Sequence, residues 1–334
     1  MNRTLVGDSG SLSTPIKLAF WLSKKKKYKL NFERFLTMCR EAGLEVYEID
    51  LSKPWIDQGP VDILIHKVTD FIAAAENGDL QAFKAVQKIE TFVADHPEVI
   101  VIDPIDSVRL LSDRSVYYPI IRQCEIQDED GKVFIPKFIS LKSQDSRENI
   151  KAFHLANIKF PFICKTNVAH GSDESHEMSI IFNEEGLQDI TSPCVCQEFI
   201  NHDAILYKVF VIGNKHYISE RPSIKNLQAG DYETIFFHSH DVSKPTSSSF
   251  LNQLEKPILS PLPPDEKVVK KLVDLLKRRM RLTLFGVDVI VERKSRRIGV
   301  IDINYFPGYE GVDSAIEDLF DHTLQSINKK RKLH

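Results

Sequence analysis

Apolar and polar positions along the first third of the chain follow two alternating rhythms. Residues 16–22, IKLAFWL, form an unbroken apolar run of buried-strand length. Residues 30–42 then set Phe32, Phe35, Leu36 and Cys39 at helical spacing ahead of Gly43. Further strands are predicted at 44–49, 61–65 and 99–102, with helical spacing between 70 and 95. Strands that alternate with helices pair in parallel, because each crossover needs a helix to return the chain. The pattern predicts a small parallel α/β lobe at residues 1–115.

From Tyr117 the rhythm loosens. A helix, a charged turn at 128–132, an extended piece ending at Pro136 and a second helix lead to a strand ending in Lys165. Residues 169–176, AHGSDESH, read as a polar loop before a strand at 178–182, completing a small α+β lobe at residues 116–199. Extended runs at 193–200 and 204–212, the latter turning at Gly213 and Asn214 into 215–220, introduce a largely antiparallel third lobe at residues 200–334. A Pro- and Ser-rich stretch at 247–264 precedes a helix at 265–279 and a hairpin with strands at 285–292 and 298–304.

That hairpin carries the most specific chemistry. If Glu292 faces Ile298 across the turn, antiparallel pairing keeps the sum of partner numbers constant and sets Asp288 opposite Asp302. Alternation places Asn304 on the same face and points Ile301 and Ile303 into a core. Opposed carboxylates on a sheet repel each other, and a bound cation is the simplest compensation. Two acids and an amide make an all-oxygen donor set, which suits magnesium. Acids facing water on an exposed strand are the competing reading, and the flanking Val287, Val289, Val300 and Ile303 argue against it.

Lys208 sits in mid-strand within ILYKVFVI, and Lys165 closes its own strand; each needs an anionic partner or snorkels from an edge. Five lysines at 23–29 follow the first strand, and His66-Lys67 follows the third. Open parallel sheets bind ligands beyond the carboxyl ends of their strands, so both groups fall where a polyanion docks. A solvated charge run is the alternative for Lys24 to Lys27.

Composition narrows the classes. At 334 residues the chain can bury two or three cores, and a net charge of −3 does not advertise a nucleic acid or an anionic membrane as partner. Five cysteines without CxxC or zinc-finger spacing read as reduced core residues of a cytoplasmic protein, also nuclear if the basic tail Lys329 to Lys332 is an import signal and not a frayed end. No apolar run approaches the ~20 residues of a membrane span. The motifs of P-loop and protein kinases, of serine hydrolases and of zinc peptidases are all missing.

Lys165, the His170-Gly171 loop, the QEFINH segment 197–202, Lys208, Arg221-Pro222-Ser223 and the segment DINYFPGYEGV at 302–312 together form a recognisable constellation. Trp21-Leu22-Ser23, His66-Lys67 and Asp113-Arg114-Ser115 extend it, so that it covers about residues 16 to 320. It resembles the inositol-tetrakisphosphate 1-kinase family, also called inositol 1,3,4-trisphosphate 5/6-kinases.

The resemblance implies an ATP-grasp fold of the α/β (α+β) class, in which two lobes clamp ATP beside the parallel one. It implies a monomer that uses ATP and two Mg2+ ions to phosphorylate inositol 1,3,4-trisphosphate at the 5/6 positions and inositol 3,4,5,6-tetrakisphosphate at the 1 position. Arg114 and Lys165 would contact ATP phosphates, and the segment from Gln197 to Lys208 would wrap the nucleotide, with Glu198, Phe199 and Ile200 reading adenine. Ser223, Ser239 and Ser243 would line the same cleft. Asp288, Asp302 and Asn304 would hold magnesium, and Lys26, Lys67, His176, Lys208, Asn304 and Gly308 would meet the inositol phosphate. Lys165, Lys208 and Asp302 would be catalytic. His176 is preferred to His170 because it precedes Glu177-Met178, and Tyr305, standing where the family pattern has a small residue, is expected to narrow the pocket. An ATP-grasp carboxylate-amine ligase and a non-catalytic inositol phosphate sensor are the alternatives.

Overall fold

The computed structural model describes residues 15–128, 131–169, 173–254 and 263–332. Residues 129–130 of the charged turn, His170 with Gly171, and residues 255–262 of the Pro-rich stretch lie outside them.

The first lobe follows the predicted alternation: β1 (Lys17–Trp21), α1 (Lys24–Leu30), α2 (Phe32–Glu41), β2 (Glu45–Glu48), β3 (Ile63–His66), α3 (Thr69–Glu76), α4 (Leu80–Asp95), β4 (Ile100–Ile102) and α5 (Ile105–Leu110). Its four strands pair in parallel in the order β2-β1-β3-β4. The lysine run is a helix in its own right, started by Ser23, whose side chain accepts from the Lys26 N–H. Asn31, left-handed at φ 51°, ends α1 and begins α2, which is why the helix expected from residue 30 starts at Phe32.

The remaining chain forms α6 (Arg114–Arg122), β5 (Ile126–Asp128), β6 (Gly131–Phe134), β7 (Phe138–Leu141), α7 (Ser146–Ala156), β8 (Phe162–Thr166), β9 (Glu177–Ile181), β10 (Cys194–Glu198), β11 (Ile205–Ile212), β12 (Lys215–Pro222), β13 (Ile235–His238), α8 (Ser239–Ser243), α9 (Glu266–Met280), β14 (Leu284–Val291), β15 (Ile298–Tyr305) and α10 (Ala315–Arg331). Two sheets result, ordered β13-β9-β8-β10-β7 and β12-β11-β14-β15-β6-β5.

Each of these sheets takes strands from the other's stretch of sequence. The β5–β6 hairpin, read within the middle segment, pairs in parallel with β15, with Ile298 opposite Val133. The late strand β13 pairs with β9. Val133 and Ile126 enter the large core that covers β15, so burial selects the sheet edge these short strands join.

One continuous apolar cluster runs from the first lobe into the six-stranded sheet, joining residues such as Phe20, Ile65 and Val108 to Val209, Val287 and Leu319. The five-stranded sheet rests on two smaller clusters, one around Phe153, Phe162 and Leu187 and one around Phe182, Val242 and Leu251. Tyr305 strengthens the joint: its hydroxyl donates to the His66 carbonyl at 3.0 Å and accepts from the Asp103 N–H at 3.1 Å.

Candidate active site

A cleft of about 900 Å³ opens between the five-stranded sheet and the six-stranded sheet, with the first lobe closing one end. Its centre is the β14–β15 hairpin. At the turn the observed partners are Val291 with Ile298, one residue off the expected pairing of Glu292 with Ile298. A bulge between Val289 and Asp288 inserts Ile301 as an extra residue, and beyond it Asp288 faces Asp302 and Gly286 faces Asn304. The expected acid pair therefore forms, by way of a register break that periodicity does not reveal.

The bulge has two consequences. Ile301 lines the cleft beside Asp302 instead of pointing into the core with Ile303, a correction to the expected alternation. Its carbonyl, released from the ladder, accepts from Lys165 Nζ at 2.8 Å and from the Tyr118 hydroxyl at 2.9 Å. Lys165 Nζ also donates to Gln197 Oε1 at 2.9 Å and to the Tyr118 hydroxyl oxygen at 2.9 Å. Burial pulls Lys165 down to about 8, against the opposing charge of Asp302.

Asp302 is held from three sides. Tyr117 donates to Oδ1, the Ile303 N–H donates to the same oxygen at 3.0 Å, and Arg114 Nη2 lies 3.6 Å from Oδ2. Burial raises this carboxyl, but Arg114, Lys165 and Tyr117 together outweigh it and hold it below the usual carboxylate range. Arg114 is itself buried, with Nη1 on the Thr166 and Val168 carbonyls at 2.7 and 2.9 Å. Lys208 Nζ bonds both oxygens of Asp288 at 2.8 Å. Lys208, Arg114 and Lys165 share the charge compensation of the acid pair.

Two buried donors in the cleft wall, Arg114 Nε and Gln197 Nε2, have no partner among the described residues, as befits a wall that receives an anion. Asp288, Asp302 and Asn304 on one face of the hairpin present an oxygen-only donor set, and that chemistry fits magnesium.

The segment expected to read adenine is partly committed. The Glu198 and Phe199 N–H groups bond to Lys137 and Pro161 carbonyls at 2.8 and 3.1 Å, whereas the Ile200 N–H has no partner among the described residues. The Ile200 carbonyl accepts from His202 Nδ1 at 2.6 Å, so the Nε2 of this neutral ring accepts from Ser223 Oγ at 2.7 Å. Burial pulls His202 down to about 4. Ser239 Oγ lies 3.4 Å from His176 Nδ1, and Ser243 Oγ bonds back to the Ser239 carbonyl within α8.

In the first lobe Lys67 lines the cleft and donates to the Phe306 carbonyl at 3.1 Å; burial pulls it to about 8. Lys26 and Gly308 do not line it. Lys26 is buried over the Phe306 ring and donates to the Phe306 carbonyl at 2.6 Å and to that of Pro307, so the lysines of its helix that reach the cleft are Lys25 and Lys29. Gly308 sits between Pro307 and Glu310, which do contribute. Tyr305 lines the cleft, and its hydroxyl reaches away into the joint with the first lobe.

The other expected site residues come together around the one cleft: Lys165, Lys208, Asp288, Asp302, Asn304, Arg114, residues 197–200, His176, Ser223, Ser239 and Ser243 all line it. Sequence reading missed Tyr117 and Tyr118, which brace Asp302 and Lys165. A pair of adjacent tyrosines on a predicted helix was the available signal, since a buried tyrosine needs a partner for its hydroxyl.

Comparison with known proteins agrees with this geometry. The family model "Inositol 1,3,4-trisphosphate 5/6-kinase pre-ATP-grasp domain" matches residues 17–108, and "Inositol 1,3,4-trisphosphate 5/6-kinase ATP-grasp domain" matches residues 127–325. Inositol-tetrakisphosphate 1-kinase of Xenopus laevis is 44% identical over 94% of this chain and 79% of its own length. Inositol-tetrakisphosphate 1-kinase 3 of Arabidopsis thaliana is 31% identical over 99% and 91%. Among solved structures, D-alanine–D-alanine ligase from Bacillus anthracis complexed with ATP aligns with a TM-score of 0.57 at 14% identity, covering 96% of this chain and all of that one. D-cycloserine synthetase DcsG aligns at 0.58 and 12%, covering 93% and 99%. Those two likenesses concern the fold alone. With both halves matched by its models and a 44% identical relative over nearly its whole length, the chain belongs to the inositol 1,3,4-trisphosphate 5/6-kinase family and has the ATP-grasp fold.

Proposed function

We propose that this protein transfers the terminal phosphoryl group of ATP to a hydroxyl of an inositol polyphosphate, at the 5/6 positions of inositol 1,3,4-trisphosphate and the 1 position of inositol 3,4,5,6-tetrakisphosphate. The observation that carries the reading is the position of the Asp288–Asp302 pair. It shares one cleft with Lys165 and Lys208 and with the first-lobe cations Lys25, Lys29 and Lys67. A polyphosphorylated acceptor requires several cations opposite the nucleotide, whereas an amino-acid acceptor requires few.

Phosphoryl transfer asks for alignment and charge neutralisation more than for a covalent nucleophile. Lys165, fixed by Gln197, Tyr118 and the Ile301 carbonyl, is pre-aimed at developing negative charge. Arg114 and Tyr117 keep Asp302 ionised and oriented. Lys208 and Asp288 are paired with each other, and each would exchange that partner for its own, a phosphate for Lys208 and a cation for Asp288. Asp288, Asp302 and Asn304 would hold magnesium, two ions by this reading, which would supply positive charge against the nucleotide phosphates. The Ile200 N–H is the donor left to read adenine, and Lys67 with His176 faces the acceptor. The segments 1–115, 116–199 and 200–334 serve as inositol phosphate lobe, nucleotide lobe and metal-bearing lobe. No helix among the described residues is long and apolar enough to cross a membrane. A monomer acting in the cytoplasm, and in the nucleus if the basic end of α10 is recognised for import, completes the proposal.

The test is transfer from radiolabelled ATP with magnesium to a panel of inositol tris- and tetrakisphosphates, alongside amino-acid acceptors. Labelled inositol phosphate is expected, reduced at least about 10²–10³-fold in Asp302→Ala. Free labelled phosphate released only with an amine acceptor would establish a ligase instead.

A further inference from the structure

The face of the five-stranded sheet turned away from the cleft carries three cysteines that phosphotransfer does not use. Cys164 on β8 and Cys196 on β10 are directly opposed partners, and Cys194 lies two residues back on the same face of β10. The sulfurs of Cys164 and Cys196 are 3.4 Å apart, those of Cys194 and Cys196 3.9 Å, and all three lie within 4.8 Å of one another. None is more than 6% exposed, and Leu141, Phe153, Phe162 and Ile181 surround them.

A single buried cysteine packs as a small hydrophobe. Three with their sulfurs converging are a different object, because thiols are weak hydrogen-bond partners and nothing about packing requires sulfur at three adjoining positions. Thiolates sharing one ion at about 2.3 Å stand about 3.8–4.0 Å from each other. Two of the observed spacings, 3.4 and 3.9 Å, lie close to that, and the third is within 4.8 Å. Ser179, buried and directly opposite Cys164 on β9, offers an oxygen on the same wall for a tetrahedral fourth position.

We propose that Cys164, Cys194 and Cys196 form a binding site for a thiophilic metal ion such as Zn(II) or Cu(I), distinct from the oxygen donors of the cleft. An all-sulfur set selects soft ions over magnesium. Each sulfur that starts as a thiol gives its proton to solvent as the metal–sulfur bond forms, and nothing changes oxidation state. The two sites are mechanically adjacent. Lys165 follows Cys164, Gln197 follows Cys196, and their 2.9 Å hydrogen bond spans the same strand pair on its cleft side.

The experiment uses the reduced full chain, stripped with a chelator and titrated with Cd(II). Thiolate-to-metal charge-transfer absorbance is expected to saturate at one ion per chain. It should be lost in Cys196→Val, which suits a strand and nearly conserves volume, and kept in Cys124→Ala. Circular dichroism confirms folding of each variant. Should Cys196→Val fail to fold, X-ray absorption on Cd-loaded wild type decides, with three sulfur neighbours expected. An absent or non-saturating band, a band that survives Cys196→Val, a shell of oxygen and nitrogen alone, or a disulfide in the intact mass in place of bound cadmium would each overturn the site.

Discussion

The floor and the roof of the cleft stand on different foundations. The floor, the six-stranded sheet, shares one apolar core with the first lobe and is locked to it by Tyr305. The roof, the five-stranded sheet, gives Val195 to that core and otherwise rests on its two small clusters. Stability follows contiguous apolar burial, so the roof is the part expected to open below the global unfolding free energy. Lys165, reaching from β8 to the Ile301 carbonyl, and Arg114, which joins the Thr166 carbonyl to Asp302, tie the two together. The residues proposed to grip phosphate are therefore also the ones that hold the cleft together without it.

That contrast can be attacked at several points. Lys165→Met removes both roles, so phosphotransfer should fall about 10²–10³-fold. Amide exchange in β8 and β10 should quicken while β14 and β15 stay protected; equal loss of protection in both sheets would contradict separate foundations. Phe153→Ala hollows the roof alone and should cost about 3–5 kcal/mol there. Calorimetry should then resolve an early transition ahead of the main one, and a single shifted transition would count against the division.

Tyr305→Phe tests the other side. Losing the hydroxyl strands the buried Asp103 N–H, at about 1–3 kcal/mol, and should lower the main transition without loosening the roof.

The smallest effect is on pH. Lys165 in the roof and Lys67 in the first lobe are both pulled by burial to about 8 from an ordinary 10.5. Each is a cation below about pH 8 and neutral above, so kcat/KM for ATP and for inositol phosphate should both decline through that range. Charging a buried lysine costs folded stability below pH 8, and that cost fades between pH 8 and 10.5. Lys67→Arg, which stays charged, should remove the alkaline decline for the inositol phosphate only. If both profiles change together, the two lysines do not serve separate substrates.

The sequence exposed the first lobe well, because its strands and helices alternate with clear period and each finds its neighbour by a short crossover. It exposed the Asp288–Asp302 pair by counting, although the count began one residue out at the turn and the Ile301 bulge made up the difference. Which sheet receives β5, β6 and β13 was not legible: strands of three or four residues have too few alternations to identify a partner, and burial against distant residues decides. Lys26 misled for a related reason. A lysine run after a strand marks a basic end of the sheet, but helix phase decides that Lys25 and Lys29 face the cleft while Lys26 turns beneath Phe306.

The Ile301 bulge permits a kind of editing that side-chain replacement does not. On the turn-proximal register, residue 301 would itself stand opposite Asp288. Deleting Ile301 would slide Asp302 into that place and leave a regular ladder with its acid pair intact, while withdrawing the carbonyl on which Lys165 and Tyr118 rest. The inserted residue thus lends main chain to the site, and a shortening by one would part the metal donors from the lysine anchor without changing a single polar side chain.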